Sequence, residues 1–151
     1  MEMKLLPLFL MVLMVFSLAQ PIFADNPQLE DTKIAMKNGE PLPDISVNSG
    51  DSIKLQARLY YFWYDHLDEN PTGNPSWNPQ SYRYLDFYVY KSNADGTNGD
   101  LVWSDRAMTN FLTANANPDE FTLKEKGTYN LLVKYDGKLK PCSATAKIYV
   151  V

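Results

Sequence analysis

Nucleophilic catalysis has little to draw on in this chain, which holds one histidine, His66, and one cysteine, Cys142. A His-assisted nucleophile would need His66 oriented by a neighbouring carboxylate, Asp65 or Asp68. The sequence contains no Gly-x-Ser-x-Gly elbow and no Cys/His spacing suited to zinc. Asp65, Asp68, Glu69 and Asp86 are the carboxylates a paired-acid hydrolase would use. That chemistry demands a set separation, about 5–5.5 Å for retention or about 6.5–9.5 Å for inversion, which chain spacing does not fix. A lone histidine in an acidic stretch is ordinarily a solvated side chain, so the expectation is a protein without catalytic residues.

Two other sets can bind rather than react. Asn93, Asp95, Asn98 and Asp100 offer hard oxygens around Gly96 and Gly99, the donors that calcium takes. Their spacing does not fit the helix-loop-helix site, and Asp-Gly and Asn-Gly are also what a tight hairpin uses, so a turn is the preferred reading. The larger set is aromatic. Tyr60, Tyr61, Trp63, Tyr64 and Trp77 surround a proline-rich stretch, and Tyr84, Tyr88 and Tyr90 alternate along a strand-like segment. Aromatic rings with polar tips make contact surfaces for sugar rings or a protein partner. Tyr60, Tyr64, Trp77, Tyr84, Tyr88 and Tyr90 are therefore the ligand-binding candidates. The alternative is structural, with the rings filling the interior; Phe62 and Trp63 are the ones expected to be buried.

The elements that must position these rings are strands. Residues 1–24 read as a signal peptide: Lys4 leads into an apolar run from Leu5 to Leu18, and Ile22-Phe23-Ala24 offers a small residue for cleavage. The run contains Pro7 and falls short of the roughly 20 residues that a membrane span needs, and no second apolar segment follows. Residues 25–31 read as a short leader, and 32–151 as one domain. The net charge of −4, unchanged by loss of Glu2 and Lys4, speaks against nucleic acid or anionic lipid as a partner. With one cysteine the domain has no internal disulfide, and Cys142 is either a small residue before the last strand or the link of a disulfide-bonded dimer.

Along the domain, Thr32 to Met36 reads as an edge strand ended by Gly39, Pro41 and Pro43. Ile53, Leu55, Ala57 and Leu59 alternate with polar residues as one half-buried strand. Pro71, Gly73, Pro75 and Pro79 predict a long connection from Asp65 to Ser81. In the segment from Tyr82 to Ser92, Leu85, Phe87 and Val89 take one face and Tyr84, Asp86, Tyr88 and Tyr90 the other. Leu101 to Ser104 reads as a short hairpin partner, and Ala107 to Ala114 as weakly strand-like. Thr128 to Tyr135 and Ser143 to Val151 are the two clearest strands. Without a helical period anywhere in residues 25–151, the expectation is an all-β antiparallel sandwich of about seven to nine strands.

Gly127-Thr128-Tyr129 before an alternating strand has the form of a tyrosine corner, with Gly127 and Tyr129 as its residues. With Tyr135-Asp136-Gly137 and Ser143-Ala144-Thr145 at the entry to the final strand, it resembles the bacterial and archaeal Ig-like domains of surface and adhesin-like proteins. The likeness covers about the last 30 residues, and Asn48-Ser49-Gly50-Asp51 looks like the turn into the second strand of such domains. Two features depart from that pattern: the segment from Tyr60 to Gln80 is long, and there is one unit rather than an array. The resemblance implies an exported, immunoglobulin-like β-sandwich, secreted or at the cell surface. It would serve adhesion or binding to a protein or glycan, or act as a structural spacer or subunit, and it implies no cofactor. A secreted hydrolase is the remaining alternative.

Overall fold

The computed structural model describes residues 26–64 and 74–151. Ten strands run through them: β1 (Thr32–Ala35), β2 (Ile45–Val47), β3 (Ser52–Ile53), β4 (Arg58–Trp63), β5 (Ser76–Gln80), β6 (Tyr84–Ser92), β7 (Asn98–Met108), β8 (Phe121–Thr122), β9 (Gly127–Tyr135) and β10 (Cys142–Val150). A 3-10 turn, Lys37–Gly39, follows β1, and no α-helix occurs among the described residues. The protein is all-β and sandwich-like. Its sheets have the orders β1-β4-β5, β2-β10-β9-β6-β7 and β3-β8.

One inward face of the five-stranded sheet supplies most of the core. Leu85, Phe87 and Val89 of β6, Leu131 and Val133 of β9, and Ile148 of β10 point into it. Ile34 of β1, Leu59 of β4, Ile53 of β3 and Phe121 of β8 meet them from the other side. Trp103 of β7 stacks on Phe121 at 4.0 Å between ring centroids. The period-2 pattern sorts each strand, since successive side chains point to opposite faces and burial of a large apolar side chain is worth about 1.5–3 kcal/mol. At the start of β9 the Tyr129 hydroxyl donates to the Glu125 carbonyl at 2.7 Å, folding the side chain back on the turn. Gly127 sits there at φ 145°, which a side chain would resist.

Several expectations need correction. The sheets are mixed, because β2 runs parallel to β10, and ten strands replace seven to nine. The alternating run from Ile53 to Leu59 keeps its buried phase but is not one strand. Ile53 pairs with Phe121, Ala57 bridges to Ala116 and Leu59 pairs with Ile34, so the chain crosses from the small sheet to the three-stranded one. The connection predicted up to Ser81 contains β5, with Pro79 opposite Tyr60. Its place at the sheet edge admits a proline, since half of an edge strand's N–H groups face away from the ladder. Leu101 to Ser104 is the middle of an eleven-residue β7, while residues 109–114 form a turn. The leader is tied to the domain: the Glu30 N–H donates to the Phe62 carbonyl at 3.0 Å, and Lys140 pairs with Asp31 at 2.6 Å. Residues 1–24, read as a signal peptide, and Asp65, His66, Asp68 and Glu69 lie outside the described residues.

Candidate functional site

The outward face of the five-stranded sheet gathers the tyrosines of β6 into a strip with polar neighbours. Because Leu85, Phe87 and Val89 are committed to the core, Tyr84, Asp86, Tyr88 and Tyr90 must face away from it. Strand pairing then fixes what lies beside them. Asp86 has Arg106 of β7 on one side and Lys134 of β9 on the other. Tyr88 lies between Ser104 and Leu132, and Tyr90 lies opposite Asn130, whose other neighbour is Lys147 of β10.

Tyr88 and Tyr90 stack at 6.2 Å with their planes 25° apart. Arg106 grips Asp86 through two hydrogen bonds, 2.7 Å from Nε and 3.2 Å from a terminal nitrogen, while its guanidinium carbon lies 5.5 Å from the Tyr84 ring centre. The Asp86 carboxylate, by accepting those hydrogen bonds, holds the Arg106 guanidinium above its ordinary pKa. At the far end Asn130 is buried, donates to the Gly96 carbonyl and to Asn98 Oδ1, and accepts from Lys147 Nζ at 2.5 Å. Grooves of about 440 Å³ beside Tyr84 and about 290 Å³ beside Asn130 flank the strip. The exposed ring of Tyr84, the half-buried rings of Tyr88 and Tyr90, a held carboxylate, a guanidinium and an ammonium can stack on the apolar face of a sugar and hydrogen-bond its hydroxyls.

The other aromatic candidates sit on a different sheet. Tyr60 and Trp77 lie on the outward face of the three-stranded sheet, across the core from the strip. Tyr60 is 5% exposed; its hydroxyl donates to the Met36 carbonyl and accepts from the Gly39 N–H, so it is a structural residue rather than a ligand contact. The half-buried Trp77 packs against Phe62 at 5.1 Å and lies 4.5 Å beneath the Lys33 ammonium. Tyr64 meets Trp63 edge-on at 5.7 Å. Phe62 and Trp63, expected to be buried, are half-buried. The sequence candidates are thus divided between two sheets: Tyr84, Tyr88 and Tyr90 share one face, and Tyr60 and Trp77 another.

In the Asn93 to Asp100 turn, Asp95 Oδ1 accepts from the Thr97 N–H and hydroxyl, Asn93 donates to Thr97, and Asn98 accepts from Asn130. The bonds to Thr97 are hairpin-turn bonds and the one from Asn130 ties the turn to β9, and they engage oxygens that a calcium ion would use. Among the described residues no group of three or more His, Cys, Asp or Glu side chains is arranged to hold a metal. Cys142 opens β10, packs against the core and is half-buried, and burial raises its thiol pKa and lowers its reactivity.

Arg106, Asn130, Leu132 and Lys147 join the strip without having been candidates. The alternation of β9 and β10 already placed Asn130, Leu132 and Lys147 out of phase with the core, but only sheet order sets them beside Tyr88 and Tyr90. No protein-family model matches the chain, and no curated protein matches it.

Proposed function

We propose that this protein is an exported binding module whose contact surface is the tyrosine strip on the five-stranded sheet, and that its ligand is a glycan chain at the cell surface. The observation that carries the reading is the stacked Tyr88–Tyr90 pair continuing to Tyr84, bordered by the Arg106–Asp86 pair and by Lys147. Aromatic rings spaced along one strand match the repeat of a linear ligand, and charge-assisted donors and acceptors beside them give orientation. An immunoglobulin-like topology belongs to the same proposal. It is supported by the Tyr129 fold-back on Glu125 and by the β9–β10 hairpin. Export is supported by the apolar run after Lys4.

A glycan array read alongside Tyr88→Ala, Arg106→Gln and Trp77→Ala tests the reading. Tyr88→Ala and Arg106→Gln should each weaken binding tenfold or more, about 1.4 kcal/mol, while Trp77→Ala leaves it unchanged. Binding that survives both strip variants would sink the proposal. A protein partner that loses affinity with the same two variants, with no glycan bound, would keep the surface and replace the ligand class. A second reading, a structural spacer, is favoured by the covered ring of Tyr60 and predicts no ligand for either face.

A further inference from the structure

Beyond the strip, the turn after β7 presents an apolar tip that the fold does not use. Its frame is rigid. Thr109 is fully buried, its N–H donates to the Arg83 carbonyl at 2.7 Å and its hydroxyl accepts from the Arg83 N–H at 2.9 Å. Asn110 Oδ1 accepts from the Thr113 N–H at 2.7 Å, and Asn110 Nδ2 donates to the Asn115 carbonyl at 3.1 Å. Ala114 at the end of the turn and Tyr82, whose N–H donates to the Thr109 carbonyl at 2.8 Å, hold φ of 57° and 58°, a left-handed conformation that costs energy for residues other than glycine.

What this frame displays is Phe111, 66% exposed, and Leu112, 82% exposed. Tyr82, 64% exposed, stacks on Phe111 at 6.5 Å with planes 13° apart. Tyr84 and Met108, partners in register and both exposed, continue the apolar surface towards the sheet. Two protruding apolar side chains on a turn braced by Thr109 and Asn110 are what a soluble surface avoids unless something covers them. A sugar has little use for Leu112. The groove at the base of the tip decides the occupant: in a chain of net charge −4 it carries three cations, Arg83, Arg106 and Lys138, against Asp86 and Asp136. Arg106 binds both oxygens of Asp86, which leaves Arg83 and Lys138 against Asp136 alone. Apolar residues at the front, tyrosines at the base and basic side chains behind match the layers of a bilayer interface, where acyl chains give way to headgroup level and phosphate.

We propose that this turn is a membrane-contact tip, in which Phe111 and Leu112 enter the interface of a bilayer with anionic headgroups while Arg83 and Lys138 meet the phosphates. The tip borders the tyrosine strip at Tyr84 and does not use Tyr88 or Tyr90.

The test uses the full chain carrying Leu112→Cys and Cys142→Ser, labelled at position 112 with an environment-sensitive fluorophore. Vesicles are phosphatidylcholine alone or phosphatidylcholine with phosphatidylglycerol. A second chain is labelled at Asp95→Cys, at the other end of the β6–β7 hairpin. The expected result is a blue shift at position 112 with anionic vesicles and none at position 95. Phe111→Ser should weaken partitioning tenfold or more. Arg83→Gln with Lys138→Gln should abolish the preference for the anionic lipid, and Tyr88→Ala should change nothing. No shift at position 112, or an equal shift at position 95, overturns the proposal. A blue shift without vesicles that fades on dilution also overturns it, since a second copy of the chain would then cover the tip.

Discussion

The outward faces of the two larger sheets carry the same residue types to opposite ends. On the three-stranded sheet, Tyr60 is roofed by the 3-10 turn, both hydrogen-bonding roles of its hydroxyl are taken, and Lys33 lies over Tyr60 and Trp77. On the five-stranded sheet, Tyr84 is 54% exposed, and the half-buried Tyr88 and Tyr90 stack on each other. The difference shows that aromatic density is no guide to function until the cover over each ring is known. A covered tyrosine is part of the fold, whereas an open row beside a held ion pair is a surface.

Substitutions can break or sharpen that contrast, and the largest effect belongs to the covered face. Tyr60→Ala should cost about 3–5 kcal/mol, the range for truncating a buried aromatic, read as a lower urea midpoint with unchanged slope. Tyr60→Phe should cost about 0.5–1.5 kcal/mol, because the Met36 carbonyl and Gly39 N–H lose the hydroxyl but keep their bond to each other. Lys33→Met, which removes the cation from the Trp77 ring, should cost about 0.5–1 kcal/mol in the same denaturation.

A pH series gives a smaller effect. The Lys140 ammonium, then the Gln28 N–H, hold the exposed Asp31 carboxyl below its ordinary value of 3.8. Its stabilisation is therefore present above that value and is lost as pH falls through it toward the lower folded pKa. Asp31→Asn should flatten that part of the acid limb and leave stability at neutral pH little changed, as for an exposed ion pair. Smallest of all, Tyr84→Ala should change stability by less than about 0.5 kcal/mol, read in the same urea series. Equal losses from Tyr84→Ala and Tyr60→Ala would erase the distinction between the two faces.

Legibility followed the range of the interactions. Leu85, Phe87 and Val89 were readable as core and Tyr84, Tyr88 and Tyr90 as the opposite face, because a strand sorts its own side chains with a period of two. Tyr129 was likewise readable, since its partner Glu125 is four residues away. Strand β5 was hidden because prolines signal a break, and only a neighbour on one side and none on the other makes Pro79 acceptable. Strand β7 was cut short in the reading at Ser104, since the Asp105 and Arg106 that follow look like a turn until Asp86 appears beside Arg106.

By itself, then, the sequence determined an all-β chain, the inward and outward phase of its long strands and the scarcity of catalytic groups, all properties set within a few residues of chain. Tertiary structure alone decided the mixed sheet order and the burial of Tyr60 beneath a turn more than twenty residues earlier. It also set Arg106, Asn130 and Lys147 beside the tyrosines and lifted Phe111 and Leu112 away from the core. The reason is physical: alternation is imposed by backbone geometry at each residue, whereas cover, pairing and exposure depend on which distant segment the chain brings alongside.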